Sequence, residues 1–219
     1  MEINQFGLTA SQLPILSYQF GHTGPRVLIL GGVHGDEPEG VVASFGLIQK
    51  FMDSFSLPIQ LTIVPQFNFD GVLAQTRKNA RGIDLNRNLP TKDWTKEYTK
   101  EKYFPGSEPA SEPENKALLS WLDKNKPRII YSLHSWNPMV NMNGPCQPEA
   151  DVIAAHTGYI VNSDIGYPTP GSLGTYSGME RDIPTITYEI ERGLSTDRIL
   201  EVHVPAICEA LKVSSQRFR

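Results

Sequence analysis

Four short segments carry residue types that do chemistry. His34 and Glu37 stand three apart in Gly32-Val33-His34-Gly35-Asp36-Glu37. On a tight loop or an opening helical turn, that spacing lets an imidazole and a carboxylate converge on one point, a partial shell for zinc. On its own such a pair is better read as a loop histidine beside a solvated glutamate at a helix start. His134 follows the apolar run Arg128–Leu133. A catalytic zinc site takes three protein ligands and leaves a position for water, and His34, Glu37 and His134 would supply two imidazoles and one carboxylate. Taken alone, His134 reads as a satisfied histidine at a strand end. Glu189 lies near the carboxyl end of Thr185–Ile190, where a carboxylate beside a metal acts as general base. Glu191 has the same side-chain parity, so alternation does not choose between them, and a buried ion pair is the alternative for either. The fourth segment runs from Arg77 to Asn88. Asn86 and Arg87 suit the grip of a carboxylate, Arg77 suits a developing oxyanion, and Asp84 suits the holding of a ligand or an arginine in place. A solvated loop with capping asparagines is the alternative. His22, His156 and His203 have no motif around them, and His203 reads as structural or surface.

These residues need a frame. Val27-Leu28-Ile29-Leu30 ending at Gly31-Gly32 reads as a buried strand and a tight loop, and Leu61–Val64, Arg128–Leu133 and Thr185–Ile190 read as further strands. Apolar residues at helical spacing predict helices over 41–52, 112–122 and 196–212, with a short one over 171–181. Ser111 and Glu114 suggest a capping box for the second. Strands alternating with helices predict an α/β sandwich with a mixed, mostly parallel sheet flanked by helices. In open sheets of that kind ligands sit at the carboxyl ends of strands, where His34, His134 and Glu189 fall. The polar stretch Pro90–Ala110 reads as an excursion over one face, so residues 1–219 are expected to form one domain.

Composition removes several classes. With 39% hydrophobic and 20% charged residues among 219, neither a disordered tail nor a coiled coil dominates. No apolar run approaches the roughly 18 residues of a membrane span. A net charge of −4 argues against nucleic acid as partner, and the local cluster Arg77, Lys78, Arg81 and Arg87 suits a small anion. Cys146 and Cys208 are too few for a disulfide scaffold. The first 25 residues contain neither Lys nor Arg, so no secretory signal is visible and a cytoplasmic location is expected.

His34-Gly35-Asp36-Glu37, Asp84-Leu85-Asn86-Arg87-Asn88, Leu133-His134-Ser135 and Tyr188-Glu189 occur in the order seen in zinc carboxypeptidases of the carboxypeptidase A superfamily, which the chain resembles from about Val27 to Glu189. More narrowly, Gly106-Ser107-Glu108-Pro109 with Ser111–Glu114, and the stretch Gly166–Gly174, resemble the murein peptide amidases within it. The resemblance implies one zinc ion per chain on His34, Glu37 and His134. It implies Arg77 as the arginine that polarises the scissile carbonyl, Asn86 and Arg87 on the substrate carboxylate, and Glu189 rather than Glu191 as general base. Tyr167 falls close to the family's mobile tyrosine, one residue short in its spacing to Gly171-Ser172, and is assigned to substrate binding. Asn68-Phe69-Asp70-Gly71 departs from the family's frequent Asn-Pro-Asp-Gly, and a local turn change is expected. The implied substrate is a small muropeptide, cut between γ-D-glutamate and meso-diaminopimelate. An N-acyl-amino-acid deacylase of the aspartoacylase and succinylglutamate desuccinylase type shares the first loop and the Asp-Leu-Asn-Arg element, and is the alternative enzyme. A non-catalytic peptidoglycan-binding module is the alternative from another class.

Overall fold

Side-chain alternation along buried strands decides which residues meet which face. The computed structural model describes residues 1–219. Eight strands, β1 (Glu2–Leu8), β2 (Pro14–Phe20), β3 (Arg26–Gly31), β4 (Gln60–Val64), β5 (Ile129–Trp136), β6 (Met139–Asn143), β7 (Ile160–Asn162) and β8 (Thr185–Glu191), form one sheet in the order β1-β2-β4-β3-β5-β8-β6-β7. The run β4-β3-β5-β8 is parallel, as is the β6-β7 pair, and the remaining pairs are antiparallel. This is the mixed, mostly parallel α/β sheet that the sequence predicts.

The central strands are apolar on both sides because both sides are covered. Val27 and Ile29 of β3 join a core of 27 buried residues that includes α1 (Pro38–Asp53), α4 (Gln147–Thr157) and α6 (Val204–Arg217). Leu28 and Leu30 join a second core of 12 with Leu118 and Leu122 of α3 (Pro113–Asn125) and with Leu85, Leu89 and Leu173. In β5 and β8, Tyr131, Leu133, Ile186, Tyr188 and Ile190 turn to the larger core. Alternation therefore sends Ser132, His134, Thr187 and Glu189 to the opposite face. The parallel register sets His134 beside Glu189 and Ser132 beside Thr187.

Several elements differ from the sequence expectation. The hairpin β1–β2, the short helix α2 (Phe69–Ala74), β6, α4 and β7 carry no apolar run or helical stripe that marks them. The capping box at Ser111 does not form. Pro113 opens α3, Glu112 is its extended N-cap residue, and no side chain caps the helix there. Ser111 Oγ instead donates to the Glu112 carboxylate and accepts from Asn88, while Glu114 accepts from the Ala10 and Asn79 N–H groups. The segment expected as a short helix over 171–181 is a π-helical turn over Gly174–Met179. The C-terminal helix starts as α5 (Thr196–Arg198), passes through a π-helical turn over Ile199–His203, and continues as α6. No helix is long and apolar enough to cross a membrane.

That π-helical turn places His203 in the interior, not on the surface. It is 2% exposed and hydrogen-bonds the Tyr188 hydroxyl through Nδ1, beneath the strand that carries Glu189. Burial, aided by the Arg198 charge, pushes the His203 imidazole down to about 4. A folded-state value below the ordinary 6.5 means that the neutral ring is favoured on folding. This contribution is complete above pH 6.5 and is lost as pH falls through the interval down to about 4. In thermal melts, wild type should therefore lose stability across that interval more steeply than His203→Phe. Equal slopes would show that His203 carries no such linkage.

Candidate active site

The loop after β3 delivers His34 and Glu37. It passes α2 so closely that a Cβ on Gly35 would lie 1.9 Å from the Gly71 carbonyl carbon. Only glycine permits that approach. Asn68 caps α2 by accepting from the Gly71 N–H at 3.0 Å, and its amide donates to the Arg77 carbonyl at 3.2 Å. The expected change at Asn68–Gly71 is thus a helix start with Phe69 in its first turn, and it also anchors the backbone of Arg77.

The donor atoms converge. Glu37 Oε1 lies 3.0 Å from His34 Nδ1 and Glu37 Oε2 lies 2.8 Å from His134 Nδ1, while the two Nδ1 atoms stand 3.1 Å apart. All three side chains are buried, and their ligand atoms lie within 4.8 Å of one another. The outer ring nitrogens are engaged elsewhere, His34 Nε2 with Asp84 Oδ1 at 3.1 Å and His134 Nε2 with Ser132 Oγ at 3.0 Å. Each imidazole is therefore oriented with Nδ1 inward, as partners of metal-binding histidines do. Two ring nitrogens and a carboxylate facing one point form a donor set that fits zinc. Nearby, Glu189 Oε2 is buried with no hydrogen-bond partner.

Asp84 ties the other half of the site to this cluster. Besides His34, it accepts from Arg77 Nε at 2.9 Å and from the Asn86 N–H at 3.0 Å. Burial pushes the Asp84 carboxyl up, but Arg77 and then His34 outweigh burial and hold it far below the usual carboxylate range. Arg77 also places Nη1 3.4 Å from Glu37 Oε1. Asn86 Oδ1 accepts from the Leu173 N–H at 2.8 Å, which fixes the 3₁₀ turn Leu85–Arg87 against the Gly166–Gly174 stretch. Arg87 is buried, donates to the Asn86 carbonyl, and lies against the rings of Tyr103 and Tyr167 at 5.2 and 5.9 Å, with no carboxylate paired to it.

These residues line one cleft of about 750 Å³. His34, Glu37, Arg77, Asn86, Arg87, His134, Tyr167 and Glu189 all face it, so every sequence-predicted site residue reaches the same space. Glu191 is exposed and lies outside it. Burial pushes the Glu189 carboxyl up to about 7. Residues that sequence reasoning missed also line the cleft. Asn141 and Asn143 come from β6, Trp136 from the end of β5, and Arg192 from the turn after β8. Lys102 and Tyr103 come from the Pro90–Ala110 excursion, which is a wall of the cleft. The alternation Met139-Val140-Asn141-Met142-Asn143 held the signal for Asn141 and Asn143: with Val140 in the larger core, both asparagines face the cleft. Leu173 is packed in the smaller core, and Thr187 lines the cleft.

The chain is similar to known proteins in both sequence and fold. Residues 1–150 match the family described as zinc carboxypeptidase. Murein peptide amidase A of Vibrio campbellii is 30% identical over 202 residues, covering 85% of this chain and 77% of that protein. Murein peptide amidase A of Escherichia coli is 29% identical over 197 residues, covering 84% and 78%. Among solved structures, the murein-tripeptide amidase of Escherichia coli superposes with a TM-score of 0.81 at 24% identity, over 97% of this chain and 92% of that one. Carboxypeptidase A of Helicoverpa armigera superposes with a TM-score of 0.82 at 18% identity, over 98% and 68%. The matched segment ends before Glu189, and the superposed fold carries the likeness through the remaining strands. The chain belongs to the zinc carboxypeptidase family and is a hydrolytic enzyme.

Proposed function

We propose that this protein is a zinc-dependent murein peptide amidase in which residues 1–219 form one catalytic domain. It hydrolyses the amide between γ-D-glutamate and meso-diaminopimelate in small muropeptides of the reducing cytoplasm. The observation that carries the reading is the buried Arg87 guanidinium, which faces the cleft without an acidic partner. Buried cations are normally neutralised, so a carboxylate on the ligand completes this one. The names and long overlaps of the two amidase relatives support the murein substrate. So do Asn141, Asn143 and Thr187, which line the cleft and suit a leaving residue with a polar side chain. Cys146 and Cys208 are both free and buried, in keeping with a reducing compartment.

The chemistry follows from the placement of the chain's own groups. His34, Glu37 and His134 would hold one zinc ion, which when bound polarises a carbonyl and acidifies water. Asn86 and Arg87 hold the carboxylate of the leaving residue, so only a bond next to a free carboxylate is brought to the cluster. Arg77 spends Nε on Asp84 and Nη1 on Glu37, and Nη2 remains to stabilise charge on the carbonyl oxygen. Glu189 stands beside His134 in register, takes the proton from water and delivers it to the leaving amine. Tyr167 stacks near Tyr103 and closes the carboxylate end of the cleft.

Three outcomes are expected. Purified protein should contain one zinc per chain by elemental analysis, release diaminopimelate from the tripeptide by mass spectrometry, and lose that activity to a chelator and regain it with zinc. Turnover of acetyl-aspartate or succinyl-glutamate instead would assign the deacylase chemistry, and binding without turnover would assign a binding module. Glu189→Gln should keep its zinc and lose about 10²–10⁴ in kcat, the usual worth of a general base; a wild-type rate would remove Glu189 from the mechanism. Arg87→Met should raise KM about tenfold to a hundredfold, the range of a lost charge-assisted contact, and an unchanged KM would place the carboxylate elsewhere.

A further inference from the structure

Four cations line the cleft, and Arg192 is the one that neither a sequence motif nor an aromatic ring accounts for. Arg77 and Arg87 belong to the polar segment before and within the Leu85–Arg87 turn, and Lys102 lies over Tyr103 at 5.0 Å. Arg192 sits just past β8, where its backbone N–H donates to the Trp136 carbonyl. Its guanidinium donates to the Ser135 carbonyl through Nε at 3.4 Å and Nη2 at 3.2 Å, which fixes its position. Its acidic neighbours are farther than a charge-assisted hydrogen bond, which runs about 2.7–2.9 Å. Nη1 is 3.6 Å from Asp36 Oδ2 and Nη2 is 3.5 Å from Glu37 Oε1. The side chain is 46% exposed. This is an anchored guanidinium in loose ion pairs with Asp36 and Glu37, and it lines the cleft with its side chain still partly open to solvent.

Its place relative to Arg87 gives it a meaning. From Arg87 the contacts run through Asn86 to Asp84, from Asp84 to His34, from His34 to Glu37, and from Glu37 to Arg192. The proposed metal ligands stand in the middle of this series of contacts, with Arg87 at one end and Arg192 at the other. A substrate whose leaving residue is held at Arg87 has its acyl residue on the Arg192 side. In a γ-linked glutamyl residue the α-carboxylate stays free, a short methylene chain from the scissile carbonyl. In an ordinary α-linked peptide no carboxylate stands there.

We infer that Arg192 receives the free carboxylate of the acyl residue and determines specificity for γ-linked acidic acyl groups. This rests on the proposed reading of the site, which sets the position of the scissile bond. The cleft then takes a ligand with one carboxylate on each side of the amide.

The test uses zinc-loaded wild type, Arg192→Gln and Arg192→Lys. Each is assayed on the tripeptide L-alanyl-γ-D-glutamyl-meso-diaminopimelate and on the same peptide with the glutamyl α-carboxylate converted to a carboxamide. Wild type should favour the free acid about tenfold to a hundredfold in kcat/KM, as expected for a hydrogen-bonded ion pair. Arg192→Gln should bring that ratio to about one, and Arg192→Lys should retain part of it. On a Glu189→Gln background, calorimetry should show the same ratio in Kd, lost again when Arg192→Gln is added. A wild-type ratio near one with both peptides cleaved overturns the inference alone. So does an Arg192→Gln enzyme that slows on both peptides with the ratio intact, because that is the mark of an effect through Glu37. If zinc-loaded wild type cleaves neither peptide, the reading of the site falls and the inference falls with it.

Discussion

The carboxylate of Asp84 is the contact on which the site depends. It is wholly buried, and a buried carboxylate persists only when its oxygens are paired. Its partners come from three places: His34 Nε2 from the loop after β3, Arg77 Nε from the stretch after α2, and the Asn86 N–H from the turn that carries Arg87. One side chain thus fixes the orientation of a proposed metal ligand, the guanidinium over the cleft, and the start of the carboxylate-binding turn. Removing one partner of a buried ion pair generally costs about 3–5 kcal/mol. Stability and site geometry are therefore coupled through this residue, and a drift at Asp84 would reach all three groups at once.

The sheet supplies what Asp84 does not. His134 and Glu189 are brought side by side by nothing more than parallel register and parity: both sit on strands whose intervening residues are committed to the larger core. A slip of one residue in β8 would turn Glu189 into that core and Tyr188 into the cleft. The buried Tyr188 ring, bonded to His203 in the helical layer, opposes that slip. Packing on one face of the strand thereby holds the chemistry on the other.

The same physics explains what was legible in the sequence. The strands bearing His134 and Glu189 are buried on both faces, so they stand out as apolar runs, and the polar residues interrupting their carboxyl ends mark the site. The approach of Gly35 to Gly71 was not legible, because a contact between distant backbones leaves only two small residues as its trace. β6 was missed for a functional reason. Half of its side chains face a polar cleft, so Asn141 and Asn143 break the apolar pattern that would have announced a strand. β1 was missed because its first four residues are all exposed and three of them, Glu2, Asn4 and Gln5, are polar. Tyr103 and Lys102 lie in the Pro90–Ala110 excursion, whose composition reads as surface. Their role depends on how that excursion folds back over Arg77 and Arg87, which no local periodicity encodes.

The polarity of the cleft sets how it can discriminate. An apolar pocket distinguishes ligands by a methylene or two, and the gain is small. Here the walls present Arg87, Arg192, Asn141, Asn143 and Thr187, with only 4 of 20 lining residues hydrophobic. A ligand with the wrong groups would strip water from these side chains and return no hydrogen bond, at a cost of about 1–3 kcal/mol for each group left unpaired. Selectivity in such a site comes from the cost of leaving polar groups unmet once the ligand has covered them. It also explains why the guanidinium of Arg87 lies against two tyrosine rings and not beside an acid: the aromatic rings keep the cation in place while its hydrogen-bonding edge stays open to the substrate.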